Sequence, residues 1–152
     1  MDMRFNPITT YGGIFSGAGA ALWTLFEYAM GWHNAHLETG AMTGFVGIIF
    51  PAAAILWALR ATKRAQGGRL TMPQALKCGV AVSAISAAIG IVFFYFYYST
   101  INPEFLELMR ARGQEVDVTG QLVAVVTGSF IFGILLSGIA GLVMRTRGDE
   151  AG

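Results

Sequence analysis

The chain has 152 residues, 55% of them hydrophobic and only 12% charged, with a net charge of +1. That balance excludes an ordinary soluble domain, in which about a quarter of the residues are charged. The ten Lys and Arg lie mostly between apolar runs, too few and too scattered for a nucleic-acid surface, and a lone Cys78 excludes an internal disulfide framework or a Cys-rich metal site.

What remains is an all-α polytopic membrane protein, a single membrane domain over residues 1–152. The apolar runs predict four spans at about residues 8–31, 40–60, 73–100 and 118–144, with a short amphipathic helix on the outer surface at about 103–112.

Residues 1–7 form a polar leader carrying Asp2 and Arg4. The first run exceeds the about 7–15 apolar residues of a signal peptide, so it is read as an uncleaved span, ended by Gly31. Residues 32–39 read as a polar loop, with Thr39 as a cap for the second run. That run stops at Arg60, and Pro51 inside it is expected to kink it.

The third run starts at Thr71-Met72-Pro73-Gln74. Thr71 and Gln74 stand at capping-box spacing, and Pro73 is tolerated in a first turn. It runs on through the aromatic residues 93–98. At Asn102-Pro103-Glu104 the sequence predicts a new start, with Asn102 as cap and Pro103 in the first helical position. Phe105, Leu106 and Met109 against Glu104, Glu107, Arg110 and Arg112 make that segment amphipathic, and Gly113 ends it. The fourth run closes on Arg145, Arg147 and a frayed tail, residues 148–152.

Basic residues set the orientation. Arg4, Arg60, Lys63, Arg64, Arg69, Lys77, Arg145 and Arg147 flank one side, and Arg110 and Arg112 the other. The positive-inside rule then puts both termini in the cytoplasm. Trp32 and Tyr95 to Tyr98 mark the outer interface, Tyr11 and Trp57 the inner one, and Lys77 snorkels to the inner headgroups.

An offset of 67 residues aligns Gly12, Ser16, Ala20, Ala21, Phe26 and Tyr28 with Gly79, Ser83, Ala87, Ala88, Phe93 and Tyr95. Either this is chance in a small residue alphabet, or the chain is two duplicated hairpins related by an axis along the membrane normal. Phe94 falls where the first half has Glu27.

Small residues recur every fourth position: Gly13, Gly17 and Ala21; Gly79, Ser83 and Ala87; Gly133, Ser137 and Gly141. Lipid gives helices no hydrophobic reason to associate, so such stripes serve close backbone approach, within one bundle or between two copies.

Glu27 is a charge near the outer end of a span, which is costly and marks a functional candidate. At about 100° per residue it falls within roughly 40° of the line through Gly13, Gly17, Ala20 and Thr24, on the packed face. Tyr95, Tyr97 and Tyr98 could donate to it, and His33 could reach it across Gly31. It reads either as a structural hydrogen-bonded group or as a proton, ion or ligand site. His33, His36 and Glu38 are weak metal candidates, since a third strong ligand at fixed spacing is missing. No nucleophile elbow or phosphate loop is present, and no cofactor or catalytic residue is expected.

Three elements give the chain a resemblance: Glu27-Tyr28-x-x-Gly31-x-His33, then Gly67-Gly68-x-Leu70-Thr71-x-x-Gln74-Ala75, then Tyr97-x-x-x-Ile101-Asn102-Pro103-x-Phe105. Over nearly its whole length the chain is similar to the bacterial domain of unknown function 4199 family, small four-span membrane proteins. The resemblance implies a fold and a location in the bacterial inner membrane, and carries no activity. On function the residues leave two expectations. The first is a non-enzymatic accessory, scaffold or assembly subunit, partnered by the bilayer and by a second copy or a larger membrane complex. The other is a small proton-coupled transporter or lipophilic-ligand binder using Glu27.

Overall fold

A computed structural model describes residues 6–146. Asp2, Arg4, Arg147 and the tail at 148–152 lie outside the described residues. The described chain is helical: α1 (Pro7–Ala29), α2 (Leu37–Thr43), a 3-10 segment (Gly44–Ile48), α3 (Ile49–Ala65), α4 (Met72–Phe96), a π turn (Tyr97–Ile101), α5 (Glu104–Ala111) and α6 (Val118–Met144).

Local chemistry explains most boundaries. Asn6 caps α1 by accepting from the Ile8 N–H, with Pro7 in the first turn. Gly31 and Gly113 follow α1 and α5 at φ of 75° and 82°, a conformation that costs other residues more. The capping box at Thr71 and Gln74 is present in both directions.

Three expectations fail here. Thr39 caps nothing: α2 begins at Leu37 behind His36, and Thr39 lies inside the first turns. Asn102 does not cap α5 either. Pro103 stands just outside that helix, and the Asn102 side chain turns inward to other partners. The second run does not stop at Arg60 but stays helical to Ala65, putting Arg60, Lys63 and Arg64 on its last turns, where cations suit the carbonyl end. Pro51 acts upstream of itself. Its ring crowds the carbonyl four residues back and its missing N–H leaves a ladder gap, and there the helix tightens into the 3-10 segment.

Among the described residues, three stretches are long and apolar enough to cross a membrane: Leu37–Ala65, Met72–Ile101 and Val118–Met144. α1 is not among them. At about 34 Å it has the length, but glycines, hydroxyls and Glu27 dilute its apolar character. Exposed Leu22, Leu135, Ile139 and Val143 give the outside of the bundle a lipid-like face.

α1 packs on α3 and α4, α4 packs on α6, and α3 touches both α4 and α6, leaving α1 and α6 on the far diagonal. The small-residue stripes lie in these seams. A Cβ on Gly13 or Gly17 would run into Ile85 or Ile89, and one on Gly79 or Gly133 into Ser137 or Ser83. At the basic end Ile55, Ala58, Leu59, Leu70, Ala75 and Val82 are almost wholly buried together. There Thr146 pairs with Leu70 through both backbone and side chain, and the Lys63 ammonium donates to the Met144 carbonyl at 2.6 Å. The opposite end has a separate aromatic core of Tyr97, Tyr98 and Leu106.

Candidate functional site

Glu27 lies on the last turns of α1, only 3% exposed. Of the partners the sequence suggested, His33 is present, whereas the places given to the tyrosines go to Thr43. The Thr43 hydroxyl at the end of α2 donates to Oε1 at 2.6 Å, and the His33 Nε2 faces Oε2 at 3.4 Å. Gly31 makes the second contact possible: its left-handed turn folds the chain back, so His33 returns over the end of the helix it has just left.

Tyr97 enters one bond further out. Its hydroxyl meets His33 Nδ1 at 2.5 Å, and Asn102 Nδ2 reaches the same hydroxyl at 3.1 Å and Asn34 Oδ1 at 3.0 Å. The donors fall in one direction. Asn102 gives one amide proton to Asn34 and the other to the Tyr97 oxygen. The arrangement that gives every proton an acceptor has Tyr97 donate to His33 Nδ1, with the imidazole proton on Nε2, toward Glu27. Both Glu27 oxygens thus face a polar partner, the Thr43 hydroxyl on one and the His33 Nε2 on the other. Burial pushes the His33 pKa below its ordinary value, with the Glu27 charge and hydrogen bond pulling the other way. A neutral ring agrees with the directed chain.

Phe105 of α5 closes over this chain, its ring 5.1 Å from His33 and stacked on Tyr98 at 6.0 Å. The remaining candidates separate. Tyr98 is buried among these rings, while Tyr95 points outward, half exposed, and meets only Phe96 and Ser99. The four residues from Tyr95 to Tyr98 cover a whole turn, so they cannot share a face. His36 and Glu38 are exposed, whereas His33 is partly buried. Among the described residues no three His, Cys, Asp or Glu side chains come close enough to hold a metal.

Thr43, Asn34 and Asn102 were not among the sequence candidates. Asn102 was visible but assigned to a cap, and Thr43 reaches Glu27 only because the two helices cross.

Glu27 and His33 line the end of a cavity of about 730 Å³ that runs down between the helices past Trp23, Phe94 and Ser86. The size is that of a small-molecule pocket, and the lining has the usual form, apolar walls with a few convergent polar groups. The Ser16 and Ser86 hydroxyls, bonded to each other at 2.9 Å, add a second polar spot deeper in.

Two of the three sequence elements noted above thus meet in one structure: one supplies Glu27, Gly31 and His33, another Tyr97, Asn102 and Phe105. The sequence model of the family described as protein of unknown function (DUF4199) matches residues 11–146, and the chain belongs to that family. No curated protein matches it. No solved structure matches it.

Proposed function

We propose that this DUF4199 protein is a non-enzymatic, four-span integral protein of the bacterial inner membrane that holds a lipophilic ligand in its cavity, with Glu27 as the polar anchor. One observation carries the reading: an almost fully buried carboxylate lines a cavity of about 730 Å³ inside a membrane-type bundle. An accessory or assembly subunit has no use for such a polarised hollow, so the cavity favours the binder over the scaffold.

α1 is the fourth span in this reading, since its packed face sits between α3 and α4. Basic residues at the ends of α3 and α6 and at the start of α4 support a cytoplasmic location for that end and for both termini. Labelling of cysteines placed at residues 36 and 115 should report one side and at residue 66 the other; labelling of 36 and 66 from the same side would overturn this topology.

The binding test is a titration of the detergent-solubilised protein with a neutral lipophilic fluorophore. Saturable binding at one site, lost in Ala20→Trp because the indole fills the cavity, is expected. Non-saturating partition, equal in both proteins, would overturn the reading.

A further inference from the structure

The cavity has an open side. Along α1, α4 and α6 its neighbours interlock: Gly17 lies against Ile89, Ser16 bonds Ser86, and a Cβ on Gly90 would meet Val125. On the side of α2 and α3, Gly19 lies against Phe50 of α3, and the Trp23 indole donates to the Thr43 carbonyl of α2 at 3.2 Å. The remaining side lies between the 3-10 segment Gly44–Ile48 and the outer half of α6. There Gly44, Ile48, Ala124 and Gly128 line the cavity and are nevertheless exposed, as is Gln114 in the loop before α6. A Cβ on Gly44 or Gly128 would meet no atom within 4 Å.

The depth of this slot decides what lies outside it. Gly44 to Ile48 are about 10–18 Å beyond the start of α2, at 1.5 Å per α-helical and 2.0 Å per 3-10 residue, and residues 124–128 about 9–15 Å beyond the start of α6. A hydrocarbon core about 30 Å thick puts both edges beside lipid, from within one leaflet to about the midplane. The flanking surface agrees, for Phe45, Ile49, Val123 and Ile131 are all exposed apolar side chains.

The chemistry of the end wall decides the head group. The Glu27 carboxyl meets the Thr43 hydroxyl and the His33 Nε2, and no Lys or Arg side chain lines the cavity. A carboxylate held there has no fixed cation beside it, and an opposite charge on the ligand would offset its burial.

We propose that the ligand is a single-chain cationic amphiphile, a long-chain amine or quaternary ammonium, which enters sideways from the leaflet through the slot between Gly44–Ile48 and residues 124–128 and sets its head against Glu27. This rests on the cavity being a ligand site, and it adds the charge of the ligand and the route. The 3-10 segment suits the role of slot edge. Its position just upstream of Pro51 removes part of the helical ladder, and its glycines leave no side chain across the opening.

The test uses the full chain in phosphatidylcholine vesicles with Trp32→Phe and Trp57→Phe, so that Trp23, which lines the cavity, is the sole indole. The probe is a 12-carbon trimethylammonium bearing a nitroxide near its head, mixed in a stopped-flow instrument while Trp23 fluorescence is followed. Quenching should saturate, and it should exceed that by the matching anionic sulfate probe. Glu27→Gln should weaken it about tenfold, the effect of a lost charge partner worth 1.4 kcal/mol. In the wild type, adding empty vesicles at fixed total probe should slow the quenching in proportion to the probe's dilution in the bilayer. Gly44→Phe with Gly128→Phe should slow it at least about tenfold, since a closed route lowers the association rate.

The possible failures are distinct. Quenching that is the same for both probes and for Glu27→Gln would remove the cationic ligand while the neutral-fluorophore titration still judges the cavity. A rate that follows the aqueous probe concentration, regardless of added lipid, would overturn the lateral route even if the double phenylalanine variant did not fold.

Discussion

The two halves of this bundle are built from different materials. At the basic end, alanines, glycines and serines let backbones touch, and the largest fully buried side chains there are Ile55, Leu59, Leu70 and Val82. At the other end, large rings pack on one another beside a hollow, and a polar chain runs from Asn102 to Glu27. The close-packed half can hold the helices at fixed angles without help. The hollow half can then keep unfilled space and a buried charge, both of which cost stability, because it is not asked to hold the fold together.

The steepest way to break that contrast is to add volume in the close-packed half. Gly133→Val places branched carbons where Ser83 already sits, and should destabilise by roughly 3 kcal/mol or leave no folded protein, read as the unfolding midpoint in detergent. A variant as stable as wild type would show that this seam is not tight.

Next comes the polar chain. Asn102→Leu removes the donor to both the exposed Asn34 and the buried Tyr97 and should cost about 1–2 kcal/mol in the same assay, through the two hydrogen bonds lost. Asn102→Asp is the sharper variant. A carboxylate can only accept, so Tyr97 would turn its proton away from His33, and the imidazole Nδ1 would become free to take one. Nitrogen chemical shifts of His33 should move from the Nε2–H form toward the doubly protonated ring; unchanged shifts would refute the directed chain.

A smaller effect is expected from pH. The folded state holds the His33 pKa below its unfolded value near 6.5. The unfolded chain therefore binds the proton first, and stability should be full above that value and decline as pH falls through it. The decline is at most about 1.4 kcal/mol per pH unit, and less because the ring is partly solvent-screened. His33→Gln should flatten it. A wild-type curve that rises on acidification would mean that Glu27 wins over burial.

The smallest effect is expected from Gly128→Ala. It lies little more than a turn from Gly133 on the same helix, yet its Cβ would meet open space, so the gain in helix propensity of up to about 1 kcal/mol should show as a slight stabilisation. A loss comparable to that of Gly133→Val would erase the distinction between the two halves.

The legible part of this molecule was what repeats or stops. Apolar runs gave the long helices, Gly31 and Gly113 their ends, Thr71 and Gln74 a start, and the angular position of Glu27 its burial. Partners across the bundle were not legible. Thr43 has no sequence signal linking it to Glu27, because the contact depends on how α2 crosses α1. Asn102 was misread since Asn before Pro is a good cap by local rules, and only tertiary structure shows that Tyr97 and Asn34 outbid the helix end for its amide. The exposed Tyr95 shows the limit of composition, since a tyrosine cluster says nothing about which ring faces inward.

The π turn at Tyr97–Ile101 holds one residue more than an α-helical turn would need. That surplus residue sets the phase of everything after it. Removing Ser99 or Thr100 would let α4 continue as a regular helix of nearly the same length and hydropathy, but Asn102 would swing by about 100° around the axis and leave Tyr97. The core at the basic end would still close, and the polar chain at the other end would be broken. A family in which helix length drifts freely can thus be told from one that must keep this phase by a single inserted residue, and here the insertion is the spacer that brings two distant segments of sequence to one imidazole.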